Sequence, residues 1–220
     1  MIVENADTSL IFNRIACNYD LLNHLLSFGV DRYWRKTFVK NIPQRNYKTV
    51  VDLATGTGDL LILLKNLNAT NYYAVDPAIK MLELVKKKFP DALYINSFAE
   101  NVPLNNDSAD IVTIAFGIRN FSNPDTALSE INRILKMNGI LAIMEFDKPQ
   151  KRSFSKAFSI YFDKIMPFIG EKISGDKAAY SYFSNSVNEF NSKYNLQKQL
   201  QYYGFEIIQK ESMFLGAVKM

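Results

Sequence analysis

The sequence contains one cysteine and one histidine among its 220 residues. Cys17 has no second cysteine to pair with inside the chain, so an intramolecular disulfide and a cysteine-based zinc cluster are excluded. The lone His24 argues against a histidine-rich metal site and against a Ser-His-Asp triad. We therefore interpret both residues as packing residues, predict no metal, and see no requirement for an oxidising compartment.

Glycine and proline are also scarce, at nine and seven residues, which excludes a collagen-like or low-complexity chain. Aromatic residues make up 13% of the chain, too many for a disordered protein. Long apolar runs are missing, since a stretch such as Ile111–Ile118 is far too short to cross a bilayer. The acidic start, Met1–Asp7, does not resemble a secretory signal. We expect one globular domain over residues 1–220, located in the cytoplasm.

The charge balance is only weakly basic, with 26 Lys and Arg against 22 Asp and Glu. The basic residues are scattered, and their densest runs are Lys86–Lys88 and Lys148–Lys156. A nucleic-acid binder concentrates its positive charge more strongly, so we predict no nucleic-acid partner. A mild attraction to anionic lipid fits the same balance.

Short apolar strands alternate with amphipathic helices through the middle of the chain. Strands are predicted at residues 49–53, 71–75, 92–95, 109–116 and 140–146, with helices between them that include Leu60–Leu67 and one ended by Asn138-Gly139. Closing strands are expected near 204–210 and 213–218, which makes seven. The pattern predicts an α/β fold with a doubly wound, mostly parallel sheet and helices on both faces. Residues 1–46 form a predicted helical cap, and residues 148–197 a helical insertion on the substrate side.

The first predicted strand ends in a glycine-bearing turn, Ala54-Thr55-Gly56-Thr57-Gly58-Asp59. In an open parallel sheet this turn approaches the ligand most closely, and Gly56 and Gly58 permit the approach because they lack a Cβ. Thr57 offers a hydroxyl between them. Asp76 follows Gly56 by 20 residues, at the end of the second strand, where a carboxylate can accept hydrogen bonds from both hydroxyls of a ribose.

The turn lacks the third glycine of a dinucleotide site, because position 61 is Leu61. Asp52 and Asp59 flank the turn, and their charges would repel a pyrophosphate but suit an ammonium group. The ligand that combines a ribose, a cationic sulfur and an amino acid is S-adenosylmethionine, which we predict as the cofactor. A tight connection without any ligand is the alternative.

At this point the sequence resembles a known family. Val50–Asp59 is similar to motif I of class I methyltransferases, which have a Rossmann-like fold, and Ile134–Gly139 to their later helix-to-strand turn. More specific segments resemble the menaquinone/ubiquinone-biosynthesis C-methyltransferases known as UbiE or MenG: Tyr19–Asn23, Leu26–Gly29, Trp34-Arg35, Ile114–Asn120 and Ile169–Tyr180. The resemblance implies methylation of a ring carbon of a prenylated quinol: demethylmenaquinol, the corresponding benzoquinol, or both.

The same resemblance implies cofactor contacts at Thr57, Asp76, Phe98 and Ala99. Ala115, at the end of the fourth strand, is a further predicted cofactor contact. Three positions depart from the family pattern. Many relatives carry a carboxylate or amide where this chain has Phe98, which could instead stack on adenine. Relatives tend to have arginine at Asn188 and a glycine-rich version of Leu215–Val218.

A ring carbon becomes a good nucleophile when the neighbouring hydroxyl loses its proton, so the acceptor must be a reduced quinol. Arg119 is expected to stabilise the phenolate, and Asn120 to orient the oxygen or a water. A bound water or a carboxylate such as Asp20 would take the proton. Tyr19 and Phe116 are candidates to face the sulfonium by cation–π attraction, or else to lie in the core.

An aromatic helix from Phe154 to Met166 would accommodate the isoprenoid tail and could touch an anionic bilayer at the inner face of the membrane. The alternative is a lid that packs on its own domain. A homodimer is compatible with these expectations. Two rival functions stay open, namely methylation of another small acceptor and a catalytically silent cofactor-binding assembly protein.

Overall fold

The computed structural model describes residues 8–147 and 177–220, together with residues 160, 161, 165, 168, 169 and 172; for residues 177–181 only the backbone is described. A seven-stranded sheet lies at the centre, in the order β3-β2-β1-β4-β5-β7-β6. Its strands are β1 (Thr49–Leu53), β2 (Asn71–Val75), β3 (Leu93–Ile95), β4 (Ala109–Ala115), β5 (Leu135–Phe146), β6 (Ser212–Met213) and β7 (Val218–Lys219). The first five are parallel, whereas β7 runs antiparallel to β5 and β6. The predicted doubly wound sheet is confirmed.

Helices connect and cover the strands. They are α1 (Thr8–Leu26), α2 (Val30–Asn41), α3 (Asp59–Leu64), α4 (Ile79–Lys88), α5 (Pro124–Ile134), α6 (Lys177–Lys193) and α7 (Leu196–Tyr202). The start of α5 shows how local sequence sets an element: the Asn123 side chain accepts hydrogen bonds from the backbone N–H groups of Asp125 and Thr126, and Pro124 occupies the first turn.

The core lies on both faces of the sheet, which explains why consecutive residues of β1, Val50 and Val51, are both apolar. Val50 packs into one cluster with Trp34, Leu61 and Val85, while Val51 packs into the other with Leu128. Every β1 residue from Val50 to Leu53 is buried. A strand covered on both faces does not alternate between apolar and polar residues.

Two helix ends differ from the predictions. The predicted helix Leu60–Leu67 is an α-helix only to Leu64 and then tightens into a 3₁₀ turn, closed by Asn68 with φ +52°. The helix expected to continue to Asn138-Gly139 ends at Ile134, and β5 begins at Leu135 instead of residue 140. The reason is an irregular start to β5, where the register to β4 shifts and Asn138 adopts φ +61°. The Asn-Gly pair therefore lies inside the strand and does not cap the helix.

The predicted strand near 204–210 is wrong. The closing hairpin consists of β6 and β7, extended by reciprocal backbone hydrogen bonds between Glu211 and Met220. The strand predicted at 213–218 is interrupted by a turn at Phe214–Gly216, in which Leu215 has φ +56°. A partner strand of only two residues cannot hold a longer ladder at this edge of the sheet.

The subdivision into an N-terminal cap and a helical insertion stays a prediction. Most of the aromatic helix expected from Phe154 to Met166 lies outside the described residues. In the described ranges, no helix combines the length and the apolar character needed to span a bilayer.

Candidate cofactor and active site

The turn after β1 has the close backbone geometry that its glycines predicted. Gly56 and Gly58 have φ +56° and +85°, and Ala54, without that freedom, has φ +51°. A Cβ built on Gly58 would lie 3.2 Å from Cγ1 of Val85, so α4 passes directly behind the turn. A Cβ built on Gly56 would lie 3.9 Å from its nearest neighbour, Cε1 of Tyr19. The turn is thus supported from behind and covered by α1.

Asp76 fixes this turn through its carboxylate. Oδ2 accepts the backbone N–H of Gly56 at 2.9 Å, and Oδ1 accepts that of Ala78 at 2.8 Å. The spacing of 20 residues noted in the sequence is therefore a direct contact. A carboxylate has about four lone-pair sites, so each oxygen can still accept a hydroxyl. Burial raises the pKa of Asp76 to about 6, although the two backbone hydrogen bonds act in the opposite direction.

Asp52 lies beneath the turn and is almost fully buried. Its oxygens accept hydrogen bonds from the hydroxyls of Thr55, at 2.7 Å, and Thr113, at 2.6 Å. Burial raises the pKa of Asp52 to about 6, and the charge of Asp76 adds to the effect. Sequence reasoning missed Thr113, although a lone threonine in the aliphatic run of β4 was a usable signal.

Asp20 connects α1 to the turn. The Thr57 hydroxyl donates to Oδ1 of Asp20 at 2.5 Å, and the Lys88 ammonium lies 2.6 Å from Oδ2. Lys88 also reaches Asp59 at 2.6 Å. Burial lowers the pKa of Lys88, but its hydrogen bonds to Asp20 and Asp59 outweigh burial and the pKa is raised. Lys88 was missed because its role depends on α4 ending beside α1.

His24 belongs to an ion network, and the packing role predicted for it was too narrow. Nδ1 lies 2.8 Å from Asp31, and Nε2 lies 3.7 Å from Asp59. The three side chains could in principle hold a metal ion, since their ligand atoms lie within 4.8 Å of one another. However, Asp31 is already paired with Arg35 at 2.6 Å and Asp59 with Lys88. We interpret the cluster as a salt-bridge network between α1, α2 and α3.

The positions predicted to contact adenine follow β3. Asn96 donates hydrogen bonds to the carbonyls of Asp76 and Pro77, both at 2.9 Å, which ties this segment to the end of β2. Phe98 is 43% exposed and Ala99 is buried. Phe98 therefore lies at the surface, and stacking of its ring on a base stays a prediction.

The end of β4 lies against the same turn. Ala115 is its last residue and pairs with Met144 of β5. A Cβ on Gly117 would lie only 2.6 Å from the Cβ of Ala54, so the two loops touch. Phe116, at φ +58°, stacks on Phe146 with ring centroids 4.4 Å apart. Phe116 thus lies in an aromatic cluster at this edge of the sheet.

Arg119 is buried, and most of its guanidinium is engaged. Nη1 lies 2.7 Å from Oε1 of Glu145 and 2.5 Å from the carbonyl oxygen of Phe116, and Nε donates to the Ser186 hydroxyl at 3.3 Å. The guanidinium carbon lies 4.8 Å from the centroid of the Phe183 ring. Sequence reasoning identified Arg119 but missed Glu145, which comes from the end of β5.

Asn120 and Tyr19 lie close to Arg119. The Tyr182 hydroxyl donates to Oδ1 of Asn120 at 3.1 Å, which orients the amide. Burial raises the pKa of Tyr19, while the nearby charge of Arg119 opposes the increase. Tyr19 therefore contacts the glycine turn and is affected by the charge of the arginine. The structure brings together the predicted residues of α1, β1, β2 and β4 at the carboxyl edge of the sheet.

A separate cleft of about 1170 Å³ lies between β5, α6, α7 and the C-terminal segment. Its lining includes Glu145 and Phe146 but none of the residues of the glycine turn. The chemistry-bearing residues are at the turn, so we place the candidate site there.

Comparison with known proteins agrees with the fold described above. A Campylobacter jejuni protein named ubiquinone/menaquinone biosynthesis C-methyltransferase is 39% identical, over 96% of this chain and 94% of that protein. A Thermotoga maritima demethylmenaquinone methyltransferase is 42% identical, over 90% of this chain and 87% of that protein. Among solved structures, an S-adenosylmethionine-dependent methyltransferase from Thermotoga maritima superposes with a TM-score of 0.69 at 22% identity, covering 95% of both chains, and shows the same fold.

The model of the ubiE/COQ5 methyltransferase family matches residues 1–220. With that match and these relatives, the chain belongs to the ubiE/COQ5 methyltransferase family.

Proposed function

We propose that this protein transfers a methyl group from S-adenosylmethionine to a ring carbon of a prenylated quinol in respiratory quinone biosynthesis. The observation that carries the proposal is a buried guanidinium, that of Arg119, in a loop that packs directly on the cofactor turn through Gly117 and Ala54. The printed names of the relatives, which describe methylation in menaquinone and ubiquinone biosynthesis, point to the same acceptor class.

The residues at the turn fit S-adenosylmethionine. Asp76 keeps acceptor capacity for ribose hydroxyls, and the front of Gly56 is open except for Tyr19. The buried carboxylates Asp52 and Asp76 favour a cationic ligand over a pyrophosphate. We therefore assign cofactor binding to the turn residues and both carboxylates, with Phe98, Ala99 and Ala115 at its border. When bound, S-adenosylmethionine supplies a methyl group that is already activated by a positively charged sulfur.

The protein must then make the acceptor carbon nucleophilic. Arg119 is a permanent cation, so it favours ionisation of a quinol hydroxyl beside it. Asn120, whose Oδ1 accepts the Tyr182 hydroxyl, keeps its amide N–H groups to orient the quinol oxygen. We assign a water beside Arg119 as the acceptor of the proton that the quinol hydroxyl loses. Asp20 already accepts from Thr57 and Lys88 but keeps free lone-pair sites, so it is the alternative acceptor of the proton.

Methyl transfer neutralises opposite charges, so a pocket that excludes water favours it. Tyr19 covers the turn, and the stacked rings of Phe116 and Phe146 with Phe183 line the Arg119 side. These residues hold the methyl acceptor in an apolar environment and align it with the cofactor.

Peripheral contact with an anionic membrane is the finer part of the proposal. Phe28 is 82% exposed next to Tyr161, and Ile165 and Phe168 are also exposed. Lys172 lies over the Phe168 ring, which pairs apolar and cationic groups as membrane-surface segments do. Sedimentation with vesicles rich in anionic lipid should exceed that with zwitterionic vesicles, and Phe28→Ser should reduce it. Equal sedimentation would contradict membrane contact. A homodimer also stays a prediction.

The decisive experiment supplies S-adenosylmethionine with a reduced short-chain demethylnaphthoquinol or the corresponding benzoquinol. We expect a product heavier by one methyl group from a quinol and none from the oxidised quinone. Arg119→Ala should bind the cofactor normally by calorimetry but lose about 100-fold in kcat, the typical effect of removing one electrostatic stabiliser. Arg32→Ala, an exposed arginine on α2, is the matched control.

Three outcomes separate the alternatives. Full turnover by Arg119→Ala would refute the role of that guanidinium. Cofactor binding without methylation of either quinol would refute the quinol acceptor and favour another small acceptor or a catalytically silent cofactor-binding protein. Absence of any affinity for the cofactor would exclude methylation of a quinol and of any other acceptor, and would overturn the proposal.

A further inference from the structure

Glu145 makes more contacts with Arg119 than a simple counter-ion requires. The two side chains are only 5% and 4% exposed. Oε1 of Glu145 accepts from Nη1 of Arg119 at 2.7 Å and from the backbone N–H of Phe146 at 2.8 Å. Oε2 lies 3.4 Å from the backbone nitrogen of Arg119. The carboxylate is thus fixed by its own strand and contacts both the backbone and the side chain of Arg119.

These contacts determine which part of the guanidinium is left for a ligand. Nη1 is held by Glu145 and the carbonyl of Phe116, and Nε is held by Ser186. Nη2 has no hydrogen-bond partner among the described residues. Aromatic rings of Phe183 and Phe146 pack on the guanidinium at 4.8 and 5.6 Å and restrict its plane. The guanidinium therefore presents one donor edge, whose direction is set by Glu145, the charged partner, together with the Phe116 carbonyl and the Ser186 hydroxyl.

The charge of Glu145 matters as much as its position. A buried arginine without a partner strongly destabilises the folded protein, so a carboxylate is required at this depth. The same negative charge reduces the positive potential that a phenolate at Nη2 would experience. Glu145 consequently links two properties of the site: where Arg119 points and how strongly it lowers the pKa of a bound quinol.

We propose that Glu145 is a positioning residue for methyl transfer, which aims the Nη2 edge of Arg119 at the ionising quinol oxygen and sets the strength of its field. This inference rests on the proposed function. Glu145 acts through Arg119 and does not itself touch the reacting atoms.

The test uses the full chain and a double-mutant cycle. Glu145→Asp keeps the charge but withdraws it by one methylene, about 1.5 Å. We expect this change to lower kcat at least tenfold while the KM for S-adenosylmethionine stays within twofold. In the Arg119→Lys background, the same change should alter kcat less than twofold, because the fork that Glu145 aims is already gone.

A pH profile separates positioning from simple structural support. Glu145→Gln removes the negative charge, so the acidic limb of the kcat profile should move to lower pH, whereas Glu145→Asp should leave the limb in place. Glu130→Asp is the matched control, since Glu130 also pairs with an arginine, Arg133, and accepts a backbone N–H, that of Val102. It should lower the melting temperature without changing kcat.

The outcomes are separable. Wild-type protein that methylates no quinol would refute the proposed function, whatever the variants do. Active wild-type protein together with a folded Glu145→Asp variant of unchanged kcat would refute the role of Glu145 alone. Equal losses from Glu145→Asp in both backgrounds would also refute it, because the residue would then act independently of Arg119. If Glu145→Gln fails to fold, Glu145→Asp still decides the question through the cycle.

Discussion

Replacement of Asp52 by asparagine should make the protein more stable at neutral pH and a poorer binder of its cofactor. Burial raises the pKa of Asp52 to about 6 from an ordinary value of 3.8. The folded state therefore holds the proton more tightly than the unfolded state. Protonation of Asp52 stabilises the folded state fully below about pH 4, and this stabilisation is lost as the pH rises through about 6.

The size of the effect follows from the shift. Two pKa units at about 1.4 kcal/mol each amount to roughly 3 kcal/mol, which is the upper bound of the cost of ionising Asp52 at pH 7. Asparagine is neutral at every pH, and its amide can both accept and donate, so it can keep contacts to the hydroxyls of Thr55 and Thr113. The free energy of unfolding of Asp52→Asn should therefore exceed that of the wild type at pH 7.5 and match it at pH 4.

Cofactor binding should change in the opposite direction. The positive sulfur and ammonium groups of S-adenosylmethionine favour the ionised carboxylate, and asparagine removes that attraction. Denaturant titration at the two pH values measures the first effect, and calorimetry measures the second. Asp91→Asn, an exposed aspartate, is the control and should change neither quantity. An Asp52→Asn protein that is less stable than wild type at pH 7.5 would refute the claim that ionisation of buried Asp52 destabilises the fold.

Two further changes test the contacts around the turn. Gly117→Ala places a Cβ 2.6 Å from that of Ala54 and should lower the free energy of unfolding by about 1–3 kcal/mol, with loss of activity. Gly29→Ala is the control: no atom lies within 4 Å of its new Cβ, so only the cost of the positive φ is expected. Equal losses of stability in the two variants would contradict the steric argument. Lys88→Met removes the salt bridges to Asp20 of α1 and Asp59 of α3 and should weaken cofactor binding severalfold. The affinity of the variant for the cofactor should also depend less on salt concentration than that of the wild type. The neighbouring exposed Lys87→Met should not, and an unchanged affinity of Lys88→Met would show that the bridge is not needed.

Much of the fold could be predicted because local pattern and tertiary position agree. Val50 and Val51 of β1 are both apolar and buried because helices cover both faces of the sheet, and Asp76 was identifiable from its distance to Gly56 along the chain. The short C-terminal strands could not be found in this way. Their extent depends on the length of a neighbouring strand, which the residues of β6 do not encode.

The site was predictable in its types of residue but not in its pairings. Arg119 was visible in a specific motif, yet its partner Glu145 is 26 residues away on the adjacent strand. Lys88 lies in a run of three lysines, and only the packing of α4 against α1 distinguishes it from its neighbours. Contacts between elements depend on crossing geometry, which periodicity alone does not contain. The roles assigned to these residues in binding and catalysis stay predictions.

Ala54 and Phe116 both have left-handed backbone conformations, at the ends of neighbouring strands. A residue with a Cβ loses roughly 1–2 kcal/mol in this region, whereas glycine does not. Selection for heat tolerance alone would therefore favour glycine at both positions. Replacement by glycine would also remove the Ala54 side chain that faces the Gly117 loop and the Phe116 ring that stacks on Phe146, so the relief of backbone strain would come with a loss of packing at the rim of the site.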